Sequence, residues 1–211
     1  MTRDDVPALY AIADRDVLGA TGLPTAVRIL TEEGVRWIQI RAKGMPGEEL
    51  RREVEACLEV TLGSETRLWL NDRVDLALLA PVGGVHLGQG DLPAAAARSL
   101  LGTSRWLGRS THDPVQVARA ANDDAVDLIA VGPVFPTRGK QDPEPVVGTE
   151  LLSFARRLTE KPVVAIGGMT ARTLGEALDA GADAVAVLGA VCRGNVRENA
   201  RRLLAAAGGR R

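Results

Sequence analysis

Arg41, Lys43 and Lys140 are the cations of this chain best suited to chemistry, and rarity marks two of them. Of 26 basic residues only three are lysine (Lys43, Lys140 and Lys161), so a generic surface cation here is ordinarily arginine. A guanidinium offers a planar fork and an ammonium a point charge on a flexible stem; together they can hold several phosphate oxygens. Two carboxylates form a second set, Asp72 after Asn71 and Asp91 after Gly88-Gln89-Gly90. A pair of hard oxygen donors, completed by water and substrate phosphate, is how Mg2+ is commonly held. Asn71 and Ser110 add neutral hydrogen bonds beside them. The third set is backbone: Gly167-Gly168 and Leu188-Gly189 belong to loops that a phosphate can approach closely. Two phosphate-binding regions imply two phosphorylated substrates or one large one. No serine–histidine–acid constellation accompanies them, so charge neutralisation is the expected chemistry.

These residues act together only if the fold gathers them. Apolar, strand-like runs lie at 8–13, 35–41, 67–71, 84–87, 106–110, 127–132, 162–167 and 184–188. They lack polar alternation, as strands buried on both faces should. Amphipathic stretches at 23–33, 47–62, 74–80, 93–101, 114–122, 148–159, 171–180 and 196–207 separate and follow them. Gly34, Gly63 and Gly181 stand where helices should stop, and Thr170 and Asp113-Pro114 where they should start. Eight strand–helix units of about 26 residues predict parallel strands with right-handed crossovers, closing into one compact (β/α)8 TIM barrel over 1–211. A doubly wound open sheet is the structural alternative. In a barrel, chemistry gathers at the C-terminal strand ends. The second to eighth strands end near Arg41, Asn71, Leu87, Ser110, Gly132, Gly167 and Leu188, so all three sets fall at one mouth.

Composition narrows the class further. A net charge of −1 and 3% aromatic residues argue against a nucleic-acid partner, which calls for a basic face and stacking rings. No apolar run is long enough for a membrane span. Asp4 and Asp5 stand where a secretory leader would be apolar, and Cys57 and Cys192 are far apart, so a cytoplasmic protein with inert, reduced thiols is expected. Of possible assemblies, a homodimer is the one to test for.

Each residue also has a plainer role open to it. A strand-end arginine can serve a structural ion pair, and Asp72 or Asp91 alone could cap the next helix. Gly167-Gly168 could mark only a tight turn. His86 is expected to pack or hydrogen-bond at its strand end, and Gln89 to brace its loop. The pairs Arg51-Arg52 and Arg156-Arg157 look like solvated helix faces, and Lys161 like ordinary surface. Coincidence of all three sets at one mouth is harder to dismiss than any member.

Gln39-Ile40-Arg41-Ala42-Lys43, Asn71-Asp72-Arg73, His86-Leu87-Gly88-Gln89 with Asp91, Gly132-Pro133-Val134-Phe135-Pro136-Thr137 and Ala165-Ile166-Gly167-Gly168 follow one another in the chain. The ordered set resembles the thiamine phosphate synthase family, which includes the related thiazole tautomerases, over nearly the whole length. The resemblance implies joining of a hydroxymethylpyrimidine diphosphate to a hydroxyethylthiazole phosphate (or its carboxylate form), with release of diphosphate. It implies that Gln39, Arg41, Lys43, Asn71, Ser110 and Lys140, with the intervening Ile40 and Ala42, hold the pyrimidine diphosphate. Arg41, Lys43, Ser110 and Lys140 are its catalytic set, and Asp72 and Asp91 its Mg2+ ligands. Thr137, Arg138, Gly139, Gly167, Gly168, Leu188 and Gly189 surround the thiazole phosphate. Two positions depart from the family pattern, which usually has a hydroxyl residue at Gly139 and a serine at Gly189.

Loss of diphosphate from a benzylic-type carbon leaves an electron-rich pyrimidine cation that the thiazole nitrogen captures. That step needs leaving-group charge neutralised and little acid–base machinery, as the inventory suggests. Two other readings stay open: a thiazole tautomerase with His112 in proton transfer, and a ligand-sensing barrel without turnover. Presence of both Asp72 and Asp91 favours the synthase.

Overall fold

Parallel pairing runs from the first strand to the eighth and back to the first, closing the barrel in the order β1-β2-β3-β4-β5-β6-β7-β8. The computed structural model describes residues 3–137 and 144–208. Its strands are β1 (Leu9–Asp14), β2 (Trp37–Arg41), β3 (Arg67–Asn71), β4 (Gly84–Leu87), β5 (Trp106–Thr111), β6 (Leu128–Val131), β7 (Val163–Ile166) and β8 (Ala184–Val187). The closing register, Leu9 to Val185 through Ala11 to Val187, excludes the open doubly wound sheet.

The helices are α1 (Arg15–Leu18), α2 (Leu23–Glu32), α3 (Gly47–Thr61), α4 (Val74–Leu79), α5 (Ala94–Leu101), α6 (Pro114–Ala121), α7 (Gly148–Leu158), α8 (Leu174–Asp179), α9 (Gly189–Cys192) and α10 (Val196–Gly208). Each longer helix lays an apolar stripe on the sheet. In α2 it is Leu23, Ala26, Val27 and Leu30, and in α10 Val196, Ala200, Leu203 and Ala207, spaced by three and four residues as a helical face requires. Asp113 caps α6 by accepting from Gln116 N at 2.8 Å, with Pro114 in the first turn. Gly34, Gly63 and Gly181 have positive φ, as the expected helix stops require.

Alternate strand residues face two cores. Ile38, Leu68, Val85, Leu107, Ile129 and Val185 point outward and pack beneath the helices. Tyr10, Ile12, Trp37, Trp69, Trp106, Leu128, Val164 and Ala184 point inward and fill the barrel. Four rings dominate this inner core, with Trp37 and Trp69 centred 4.7 Å apart and Tyr10 5.6 Å from Trp37. Sequence makes room for them: a Cβ on Gly84 would stand 2.7 Å from the Trp69 ring. Burial of both faces explains why the strands read as continuous apolar runs.

Four features differ from the sequence expectation. β1 extends to Asp14, which pairs in register with Arg41, and a short α1 precedes α2 because the Asp14 carboxylate caps it through Asp16 N and Val17 N. α8 begins at Leu174 rather than 171; Thr170 and Thr173 first organise a turn, although Leu174 N donates to Thr170 O at 2.9 Å. Arg156 is no solvated face residue. Its guanidinium donates to Asp183 at 2.8 Å and also to Thr159 O, tying the end of α7 to the start of β8. Lys161 is likewise structural: Nζ donates to Ala120 O at 3.0 Å and Asp123 O at 2.7 Å, satisfying carbonyls at the end of α6. Arg98 repeats the Arg156 construction on α5, donating to Ala125 O and pairing with Asp127. Asp127 and Asp183 in turn accept from Leu107 N and Val163 N, amides at the start of the adjoining strands. Arg51, by contrast, lies on the α3 surface with Glu48 and Glu55, as expected.

Candidate active site at the barrel mouth

Above the rings, polar groups replace apolar ones on the inward positions. Gln39 is buried, its Nε2 donating to the Tyr10 hydroxyl at 2.8 Å. His86 is buried beside it, and its Nε2 shares a 2.9 Å hydrogen bond with Ser110 Oγ. Gly108 makes this possible, since a Cβ there would lie 2.5 Å from His86 Nδ1. His86 therefore positions Ser110, the strand-end role expected of it. Gln89 also braces this loop by donating to Ser110 O.

At the end of β2, Arg41 reaches across to an ion pair with Asp14, whose carboxylate is almost wholly buried. Asp14 was not anticipated, although an acid ending the first strand is the signal that could have found it. The pair fixes the guanidinium at the mouth and leaves part of its donor fork for another anion. Ile40 and Ala42 do not share that position: Ile40 lies in the outer core and Ala42 packs against it. Of this run, Gln39 and Arg41 face inward, and Lys43 stands at the rim with its side chain 60% exposed.

Asp72 leaves β3 at φ 63, a left-handed conformation that aspartate tolerates better than most residues. Its own N–H donates to His86 O at 2.9 Å, and Oδ2 accepts from Asn71 Nδ2 at 2.6 Å. The helix that follows has its cap position at Arg73, so Asp72 is not the cap. Lys43 Nζ stands 3.9 Å from Asp72 Oδ2. Asp91 is held by Gly88, whose N–H donates to Oδ2 at 2.7 Å. Asp91 lies near enough to Asp72 to bear on its ionisation. Burial first, and Asp91 second, push the Asp72 carboxyl up to about 6, against the opposing pull of Lys43 and Asn71. Among the described residues no cluster of three or more His, Cys, Asp or Glu could hold a metal. A pair of hard carboxylates pressed together nevertheless suits a divalent cation whose remaining ligands are water and phosphate.

Over the ends of β5 to β8 opens a cavity of about 540 Å³, lined by Ser110, His112, Thr137, Gly167, Gly168, Leu188, Gly189 and Arg193 among others. Gly167 and Gly168 have φ of 91 and 68, and side chains there would collide with Pro133 and Phe135 at 2.4 and 2.6 Å. The pair is thus required by both backbone and packing, and it forms part of the cavity wall. His112 donates through Nδ1 to Gly132 O, leaving Nε2 as its other polar atom. Arg138, Gly139 and Lys140 lie outside the described residues. Arg193 was not anticipated; only its spacing of four after Gly189 hints that it returns to that loop. Cys57 and Cys192 are buried, and burial pushes their thiols up to about 12 and about 11, so neither is a nucleophile.

Comparison with known proteins bears on this geometry. A family model described as thiamine monophosphate synthase matches residues 9–191. The thiamine-phosphate synthase of Koribacter versatilis is 42% identical over 187 residues, covering 87% of this chain and 88% of that one. The thiamine-phosphate synthase of Myxococcus xanthus is 38% identical over 198 residues, covering 93% and 90%. The solved structure of thiamine phosphate pyrophosphorylase from Pyrococcus furiosus superposes with a TM-score of 0.87 at 29% identity, covering 98% of both chains.

Proposed function

This chain belongs to the thiamine monophosphate synthase family and is a transferase of thiamine biosynthesis, and we propose on that premise how its mouth divides the work. The pyrimidine diphosphate lies over β2 to β5, with Gln39, Asn71 and Ser110 supplying neutral hydrogen bonds and Arg41, Lys43 and Lys140 holding diphosphate oxygens. The thiazole phosphate occupies the cavity of about 540 Å³ walled by Thr137, Gly167, Gly168, Leu188 and Gly189, and Arg138 and Gly139 are assigned to the same substrate. The carbon–oxygen bond to diphosphate breaks with its electron pair leaving on oxygen. The thiazole nitrogen then donates its lone pair to the pyrimidine methylene carbon. No proton need move, which agrees with the scarcity of acid–base groups. The cations stabilise the leaving charge where it develops, a contribution worth several kcal/mol.

Asp72 and Asp91 would hold Mg2+, which supplies further charge neutralisation on the diphosphate. The observation that carries this reading is their apposition: two carboxylates forced together beside a cationic mouth are costly unless a cation answers them. Small phosphorylated molecules are the partners this chemistry calls for, and the cytoplasm its expected setting. Among the described residues no helix is long and apolar enough to cross a membrane.

The test mixes both substrates with and without Mg2+ and follows diphosphate and thiamine phosphate. Mg2+-dependent product is expected. One observation favours a second reading: His112 lines the thiazole cavity. Absence of coupling, with proton exchange on a thiazole carboxylate phosphate instead, would replace the synthase reading by tautomerisation.

A further inference from the structure

We propose that Arg193 binds the phosphate of the thiazole substrate and that Gly189 exists in this chain to let it do so. The inference rests on the synthase reading of the cavity and names its anionic end.

Arg193 follows α9 and lines the same cavity as Gly167, Gly168 and Thr137. A Cβ built on Gly189 would stand 2.8 Å from Arg193 Nη1 and 3.5 Å from Cζ. The guanidinium thus lies against the glycine, in space that any side chain at 189 would claim. Arginines that serve the frame are engaged, Arg98 with Asp127, Arg156 with Asp183, and Arg197 and Arg201 with Glu33; unlike other arginines unpaired among the described residues, such as Arg28 and Arg119, Arg193 lines the cavity. Among the described residues the Arg193 guanidinium joins no ion pair or hydrogen bond, although Glu144 lines the same cavity. An exposed cation at a pocket wall without a protein anion suits a ligand that brings its own.

The ligand class follows from the donor. A planar guanidinium fork matches two oxygens of a phosphate monoester, whose charge it meets at short range. The family resemblance implies a serine at 189, and a serine there would require the Arg193 guanidinium to shift from its place against residue 189. Glycine and arginine therefore form one unit, in which a short hydroxyl is exchanged for a cation reaching back from four residues on.

Steady-state kinetics of the full chain test this with R193A, R193K, G189S and the double variant. R193A should raise the KM for thiazole phosphate about 10–100-fold, the range expected for a lost charged hydrogen bond. The KM for pyrimidine diphosphate should change less than about twofold, and R193K should recover part of the loss. G189S should also raise the thiazole phosphate KM by displacing the guanidinium. In the double variant the two effects should not multiply, since the serine no longer meets an arginine. Competition by the unphosphorylated thiazole alcohol should be unaffected by R193A. An unchanged thiazole phosphate KM in R193A, an equal rise for both substrates, or multiplicative effects would overturn the assignment. If wild type forms thiamine phosphate and R193A behaves like it, this inference alone falls. If wild type forms none, the synthase reading falls, and calorimetric binding of thiazole phosphate to wild type and R193A still decides the role of Arg193.

Discussion

The two ends of the barrel treat their charges in opposite ways. At the N-terminal ends of the strands, each buried charge is answered from within the chain. Arg98 and Asp127, and Arg156 and Asp183, repeat one construction two units apart: a helix arginine pairs with the acid that opens a strand. Each acid also accepts from an amide at the start of the neighbouring strand, and each arginine also satisfies loop carbonyls. Lys161 closes the end of α6 in the same spirit. At the C-terminal ends only part of the charge is answered: Arg41 pairs with Asp14, but other charges are set against one another or left waiting. Asp72 lies near Asp91, Lys43 stands 3.9 Å from Asp72, and the Arg193 guanidinium has no hydrogen-bond or ion-pair partner among the described residues. Internal satisfaction stabilises; unsatisfied charge held on a rigid frame binds something else.

Substitutions at the two ends should therefore separate activity from stability. The largest effect is expected for Asp91→Ala. Coupling should fall by about 10²–10³ or more, the scale of a removed transition-state charge contact. Thiazole phosphate affinity by calorimetry should stay within about threefold. Near-normal turnover would remove Asp91 from the site. At the other end, Arg98→Ala should cost about 2–3 kcal/mol through its stranded carbonyls and Asp127, lowering Tm by some 4–12 °C. Its kcat at 25 °C should be unchanged within about twofold. A loss of rate without a loss of Tm would erase the contrast between the ends.

Asp72→Asn sharpens it from the mouth side. Ionising Asp72 opposes folding, because its folded carboxyl titrates near 6 rather than at 3.8. That penalty is full above about pH 6 and gone below about pH 4. Asparagine tolerates the positive φ, so the metal-free variant should melt about 2–4 °C higher at pH 8 and no higher at pH 4. Its activity should be largely lost. A lower Tm at pH 8 would show that the carboxylate contributes to folding. The smallest effect is expected for His112→Ala, within about fivefold in kcat, measured as thiamine phosphate formed. A collapse of rate would return proton transfer to His112.

Much of this was legible in the chain because a parallel barrel imposes two local rules. Strands buried on both faces read as unbroken apolar runs, so all eight were located, with ends displaced by at most two residues. Functional residues follow strand C-termini, and that placed Arg41, Lys43, Asn71, Asp72, Asp91 and Ser110 around one opening. What escaped was pairing at a distance. Asp14 meets Arg41 only because β1 and β2 are neighbours in register. Arg156 and Lys161 looked like surface because their partners, Asp183 and the carbonyls of Ala120 and Asp123, are more than twenty residues away. Ile40 shows a different limit of motif reading: a neighbour of Arg41 and Gln39, it turns its side chain to the helices because side chains alternate along a strand.

The four rings below the mouth bear on the fate of a reactive intermediate. Tyr10, Trp37, Trp69 and Trp106 are at most 1% exposed and close the barrel axis. On the proposed reaction, solvent can then quench the pyrimidine cation only through the opening by which the substrates entered. A bound thiazole covers that route, so nucleophile and stopper are the same molecule. The yield of hydrolysed pyrimidine alcohol per thiamine phosphate thus becomes a gauge of how fully the thiazole seat is filled.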